Sequence, residues 1–395
     1  MKFYDTCALL KLQDKVFSEP FAISSVTIHE LDYIKENRAK DPSVKYAARN
    51  VSRLLKSHIG KFKTVRYNKA MMPPELDDEP DNRIIACANT IDGVKFITDD
   101  TNCFLTAAEV FGLDAELVED EDDDYTGFIK LTFNDDELAN FYSNPHVNKW
   151  GVLQNEYVVI NNGIDVRKWN GFEFVALKEK IPKTLQFGII KSKDVYQRMA
   201  IDSMYTNRLT MIKGRAGTGK TLLALATLWA MLEKHDIDKV IVFCNPVATA
   251  YSAKLGYYPG DRNSKLLDST IGSILSSKLG DQQGVIRYIE DEKLQLLPFS
   301  DMRGFDTNGM KAGVLIEEAE NLDISLMKLA LQRLGSDSRC IIDGDYEAQV
   351  DLEQYAGANN GMHRASKVFR GKQCYGEVEL QKIYRSDIAE IAEEM

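Results

Sequence analysis

Apolar and polar positions along this chain fall into three zones with different periods. In residues 1–115, short apolar runs alternate with helical patterns: KFYDTCALL, FAISSVTIHELDYI, the helix-like YAARNVSRLLKSH, and VKFITDD. Strands that end in acids and lead into helices predict a small α/β unit. In residues 116–180, the segments TGFIKLTF, EYVVIN and RKWNGFEFVALK are β-rich and separated by Asn/Gly turns at Asn161-Asn162-Gly163 and Asn170-Gly171. They predict a small β module behind a linker. In residues 181–395, LTMIKG, KVIVFCNP, AGVLIEE and RCIIDGD are four strand-like runs, each followed by a turn and a helical stretch. That alternation predicts a doubly wound parallel sheet. The fold class is α/β at both ends, with a β-rich middle.

Composition narrows the class without changing this outline. A chain of 395 residues with 44% hydrophobic and 28% charged positions is expected to be a soluble globular protein of two or three domains. The longest apolar helical stretch, 221–232, is far too short to span a bilayer, so no membrane partner is expected. The start, MKFYDTCALL, lacks the regions of a secretory signal. Six cysteines without a CxxC pair read as reduced thiols of a cytoplasmic protein. The five histidines are equally dispersed, which disfavours a His-based metal site. A net charge of −11 argues against a general nucleic-acid coat but leaves room for a local basic groove. Part of the excess is concentrated in residues 114–124, DAELVEDEDDD, eight acids in eleven positions, which read as a solvated linker.

The sharpest local signal is Gly214-Arg215-Ala216-Gly217-Thr218-Gly219-Lys220-Thr221, set between the apolar run 209–212 and the helical TLLALATLWAMLEKH. The glycines let backbone N–H groups turn inward around phosphates, and the helix N-terminus adds a positive dipole end. Lys220 reaches the β/γ-phosphates and the Thr221 hydroxyl can ligate Mg²⁺, so ATP with Mg²⁺ is the expected ligand. Such a loop needs an acid for the magnesium and a base for water. The strand-end GVLIEEAEN offers Glu317 for the first and Glu318 for the second. A further strand ends CIIDGDYEAQVDL, where Asp345 and Gln349 are candidates to sense the γ-phosphate. Arg385, in VELQKIYRSDIAEIA, is either a phosphoryl-stabilising arginine, for its own or a neighbouring subunit, or an ordinary surface arginine.

Taken together, residues 181–395 resemble the PhoH-like ATPases, which have a RecA-type core. The pieces that carry the resemblance are DVYQRMAIDSM, MIKGRAGTGKTLLALA, VFCNPVATAYSAKLGYYPGD, PFSDMRGFD, LIEEAEN, GDYEAQVDL and LQKIYRSDIA. It implies a role for Gln197 in reading adenine. Two positions depart from the family pattern: Glu317 stands where the family has Asp, and Gln349 falls one residue late after Gly344.

The amino-terminal zone resembles a PIN-type nuclease domain, which gathers carboxylates at strand ends to hold Mg²⁺ or Mn²⁺. The resemblance implies metal ligation by Asp5, Glu30, Asp81 and Asp100, with Asp99 as the close alternative to Asp100 and with Thr98 and Asn102 in support. Hard divalent ions favour such oxygen ligands and can activate water against a phosphodiester. A PIN domain fused to a PhoH-like ATPase implies single-stranded RNA as substrate, with DNA as the alternative polymer. Trp150, Tyr157 and Trp169 of the middle module offer rings to bases, though core packing is the simpler role for them.

The leading expectation is an ATP-dependent RNA-processing enzyme, with Lys220, Glu318 and Arg385 acting on ATP and Asp5 and Asp81 on RNA. A nucleotide-switched binding protein with a slow ATPase and an inactive PIN site is the alternative. A small-molecule kinase is disfavoured, since nothing forms an acceptor pocket. Only one RecA-type core fits after residue 181, so a homo-oligomer, a hexamer foremost, is expected. The family is common in phage genomes, which is compatible with a bacterial host's cytoplasm.

Overall fold

The computed structural model describes residues 1–37, 40, 42–74, 76–118, 125–244, 270–345 and 360–384. The chain divides into two compact units, Met1–Asp123 and Asp124–Met395. Gln349 and Arg385 lie outside the described residues. No helix among the described residues is long and apolar enough to cross a membrane.

In the first unit the elements run β1 (Lys2–Tyr4), α1 (Thr6–Leu12), β2 (Phe21–Ser24), α2 (Ser25–Glu36), α3 (Pro42–Ser57) and β3 (Phe62–Val65). They continue with α4 (Pro80–Ala88), β4 (Lys95–Thr98), α5 (Thr101–Leu105) and β5 (Asp114–Leu117). All five strands are parallel, in the order β3-β2-β1-β4-β5. Successive strand side chains point to opposite faces, so each short apolar run feeds two layers. Leu9, Phe21, Leu31 and Val51 fill one, and Phe3, Ile84, Ile85 and Phe96 the other. The polar residues that end the strands start the next helices. Asp5 caps α1, Ser24 caps α2 and Asp100 caps α5, each taking a backbone N–H from the first turn.

The acidic run departs from expectation. Its first four residues are not linker but the edge strand β5. Asp114 and Glu116 are exposed while Ala115 and Leu117 are half-buried, and Glu116 pairs with Lys95 of β4. The period of two lets a segment rich in acids form a strand, because alternate positions still meet the core.

The second unit holds two sheets of different character. Its front part comprises β6 (Phe128–Leu131), α6 (Asp135–Ser143), β7 (Tyr157–Ile160), β8 (Asp165–Trp169) and β9 (Phe174–Ala176). These strands order β6-β7-β8-β9, the first pair parallel and the rest antiparallel. Trp150 and Trp169 pack with Phe141 and Phe174, and Tyr157 is fully buried with its hydroxyl donating to Asp202 at 2.8 Å. These three rings serve the core. After a two-stranded ribbon, β10 (Lys183–Thr184) with β11 (Gly188–Ile189), come α7 (Val195–Thr206), β12 (Leu209–Lys213), α8 (Lys220–Glu233), β13 (Lys239–Phe243), β14 (Leu294–Leu297), β15 (Ala312–Ile316), β16 (Arg339–Gly344) and β17 (Tyr375–Glu379). The last six strands form a parallel sheet, β14-β13-β15-β16-β12-β17. This is a RecA-like P-loop domain, with β14 and β17 added to the four strands read from the sequence.

The small sheet is fastened to the large one. Tyr157 and Val159 join the large core, while Val158 and Ile160 face the aromatic cluster of the small sheet. Asn155, in the left-handed region at φ 67°, donates from Nδ2 to the carbonyls of Lys372, Gln373 and Tyr375 at 2.8–3.3 Å. Asn tolerates that backbone and satisfies carbonyls that would otherwise be stranded. Asn155→Ala is therefore expected to cost about 1–3 kcal/mol. Chemical denaturation reads this directly, and an unchanged midpoint would remove Asn155 as a fastener.

Candidate functional site

Two clusters of polar side chains stand at the carboxyl ends of the two parallel sheets, where open α/β sheets place their chemistry. In the second unit, the loop after β12 is shaped by glycines. Gly214, Gly217 and Gly219 adopt φ of 141°, 82° and 95°, which other residues rarely reach. A Cβ at Gly214 would also stand 2.7 Å from the Leu380 carbonyl oxygen. The loop is gripped from two sides. Gln197 donates from Nε2 to the Thr218 carbonyl (3.1 Å), and the Tyr384 N–H donates to the Gly217 carbonyl (3.0 Å). Asp194 joins the two grips, accepting from the Tyr384 hydroxyl at 2.6 Å and from the Gln197 N–H at 2.7 Å. The Gln197 amide thus holds the loop itself. Arg215 is exposed at the loop's tip and Ala216 half-buried, and the Lys220 ammonium donates to the carbonyls of Gly214 and Arg215.

Strand order brings the acids to this loop. β16 lies between β12 and β15, and its register sets Asp343 beside Ile212 on one side and just past Ile316 on the other. Asp343, fully buried, therefore stands next to Glu317 and faces the Lys220 charge and the Thr221 hydroxyl. Burial pushes its carboxyl up, with Lys220 and Thr221 pulling the other way. Its Oδ1 accepts from the Glu318 N–H at 3.3 Å, and its Oδ2 has no hydrogen-bond partner among the described residues. Glu317 is pushed up to about 9 by burial first and then by Asp343, Glu318 and Glu320. Glu320 is likewise raised to about 8, mainly by burial, and accepts from the Asp345 N–H at 3.2 Å. Glu318 holds a left-handed backbone, φ 48° and ψ 45°, a conformation that costs on the order of 1–3 kcal/mol for a non-glycine. Sequence reading named Glu317, Glu318 and Asp345 but missed Asp343 and Glu320. An acid inside the apolar run CIIDG was the available signal for Asp343.

In the first unit, Asp5 follows β1 and is buried. Its Oδ1 accepts from the Ala8 N–H (2.6 Å) and its Oδ2 from the Thr98 hydroxyl (2.5 Å). Thr98 in turn accepts from the Asp100 N–H at 3.0 Å. Glu30 on α2 accepts from the Thr6 hydroxyl, and Asp81 sits in the first turn of α4. Burial raises Asp5 to about 7 and raises Glu30 and Asp81, with neighbouring carboxylates adding to each. Although Cys7 is exposed at the start of α1, partial desolvation pushes its thiol up to about 12, with smaller contributions from the charges of Asp5, Asp81, Asp100 and Glu30. Asp99 is set apart, pairing with Lys11 at 2.6 Å, and Asn102 is exposed on α5.

Among the described residues, no three His, Cys, Asp or Glu side chains are posed together around a metal position. The donor chemistry still fits a hard divalent ion in both places. The orphaned Asp343 Oδ2 is one observation, and the mutual destabilisation of Asp5, Glu30 and Asp81 as anions is the other. Carboxylates that oppose one another's ionisation are satisfied by an oxygen-seeking cation.

Comparison with known proteins agrees with this division. A family model described as PhoH-like protein matches residues 189–395, and one described as PIN domain matches residues 3–119. The chain is 25% identical over 355 residues to Protein PhoH2 of Bacillus subtilis, covering 81% of this chain and 78% of that one. It is 26% identical over 352 residues to Protein PhoH2 of Thermobispora bispora, covering 82% and 77%. Among solved structures, Pif1 helicase from Candida albicans aligns at a TM-score of 0.28 and 15% identity, over 51% of this chain and 43% of that one.

Proposed function

Since the chain belongs to the PhoH-like protein family and carries a PIN domain ahead of its P-loop NTPase core, we propose that it is an ATP-dependent RNA-processing enzyme. Residues 214–221 bind the ATP phosphates, Gln197 holds that loop through the Thr218 carbonyl, and Lys220 neutralises the β/γ-phosphates. Glu318 orients the attacking water from its strained turn beside Asp343. In the first unit Asp5, Glu30, Asp81 and Asp100 form the cutting site for the RNA backbone. Mg²⁺ or Mn²⁺, held by these four and by Thr221 with Glu317 and Asp343, would neutralise phosphate charge and lower the pKa of a bound water. Asp345, and Gln349 and Arg385 beyond the described residues, would report phosphate state and stabilise the transferring group. A single core per chain favours a homo-oligomer, a hexamer foremost.

The observation that carries this reading is the pairing of a phosphate loop beside buried acids with a second set of carboxylates in the first unit, where buried Asp5 is opposed by Asp81 and Glu30. The test measures ATP turnover with and without single-stranded RNA, and cleavage of labelled RNA with Mg²⁺ or Mn²⁺. RNA is expected to stimulate turnover and the metal to be required for cleavage. Turnover indifferent to RNA, with no metal-dependent cleavage, would sink the reading. Slow turnover with RNA binding but no cleavage would favour a nucleotide-switched binding protein, for which Glu317 in place of Asp is the supporting feature.

A further inference from the structure

Between Pro42 and Pro74 the chain carries eight Lys and Arg residues and no Asp or Glu, in a protein whose net charge is −11. The structure sets these bases on the exposed side of α3 and along β3 of the first unit. On α3, Ala48, Val51 and Leu55 are buried in the core while Arg49, Arg53 and Lys56 are exposed. Spacings of four and three residues put those three on one helix face, over roughly 10 Å. Tyr46, 55% exposed, heads the same stripe three residues before Arg49. The chain then turns into β3, the edge strand of the sheet, with Lys61 and Lys63 exposed. Arg66 is exposed just beyond its carboxyl end.

In a parallel sheet all carboxyl ends share one side, so Arg66 emerges at the end of the sheet that carries Asp5 and Thr98. The Tyr67 N–H donates to Ser25 Oγ at 3.0 Å, which ties this segment to the end of β2. Among the described residues, Arg49, Arg53, Lys56, Lys61, Lys63 and Arg66 form no ion pair. Lysines on an edge strand discourage edge-to-edge pairing, which accounts for Lys61 and Lys63. That reason does not reach the helix stripe. Like charges gathered without counter-charges oppose one another until a polyanion arrives.

We propose that the α3–β3 edge is a phosphate-tracking surface that holds the backbone of single-stranded nucleic acid beside the carboxylate site, with Tyr46 offering a ring to a base. The proposal rests on the nucleic-acid part of the proposed function. An acidic protein partner is the less favoured occupant, because Arg66 stands at the end of the sheet that carries the acids and an exposed aromatic ring heads the helix stripe.

The experiment compares the full chain with its Arg49→Glu/Arg53→Glu/Lys56→Glu variant. Binding of short labelled single-stranded RNA and DNA is followed by fluorescence anisotropy, with chelator present to prevent cleavage. The variant is expected to bind at least ~10-fold more weakly at low salt, and its slope of log affinity against log salt should fall by about 2, at ~0.7 per lost phosphate contact. Arg49→Ala/Arg53→Ala/Lys56→Ala should lie between the two, and ATP turnover without RNA should be unchanged in both. Equal affinity and slope in wild type and reversed chain would overturn the surface while leaving the RNA-processing reading intact. No binding by the wild type would overturn both. Retained RNA affinity with lost binding of a polyglutamate probe would assign the face to an acidic partner, and overturn the proposal.

Discussion

Lys220→Ala should lower ATP turnover by at least ~100-fold, the loss that follows removal of one preorganised charge-stabilising donor. The side chain now donates to the Gly214 and Arg215 carbonyls and faces Asp343. Alanine leaves the loop's glycine conformations in place but takes away the ammonium that answers both the phosphates and the buried acids. Steady-state phosphate release measures the effect, and RNA cleavage assayed without ATP should continue. Turnover within about threefold of wild type would be far less than one donor's worth, and Lys220 would lose its assigned role.

Asp5→Asn should abolish metal-dependent RNA cleavage and spare ATP turnover. Asn keeps the shape and still accepts from the Ala8 N–H that caps α1. The Thr98 hydroxyl, now a donor to Asp5, can instead accept from the new amide. What disappears is one anionic oxygen of the proposed cutting site. The loss in cleavage should exceed the roughly 10–100-fold typical of losing a residue that only orients a ligand. Because burial opposes the ionised carboxyl of Asp5, the Asp5→Asn variant is expected to fold at least as stably at neutral pH. A thermal melt of the variant separates lost chemistry from lost structure. Cleavage close to the wild-type rate would move the metal site elsewhere.

Much of the first unit was legible because its strands are short apolar runs that end in helix-capping polar residues. Asp5 and Asp100 show why that legibility has a limit. Each caps a helix, so a strand-end acid reads equally well as a cap or a ligand. The sequence offered Asp99 and Asp100 alike; only the fold shows that Lys11, eighty-eight positions away in sequence, pairs with Asp99. β3, FKTV, hid because an edge strand interrupted by a base lacks an apolar run, and β5 hid within the acidic segment. The β14 and β17 strands were missed for a related reason: LQLL and YGEVE are weakly alternating pieces whose burial is supplied by neighbours.

The phosphate loop was determined by the sequence itself. Gly214, Gly217 and Gly219 are needed where φ is positive, and Lys220 begins the helix that follows; spacing and backbone sterics are local properties. The α/β alternation was likewise local. What only the tertiary structure decided is which acids meet that loop. The insertion of β16 between β12 and β15 brings Asp343 beside Lys220 and Glu317. Strand order depends on long-range packing of whole sheet faces, and no window of neighbouring residues contains it. The same holds for Asp5, Glu30, Asp81 and Asp100, which belong to four separate elements, so any site they share depends on parallel strands aligning their carboxyl ends.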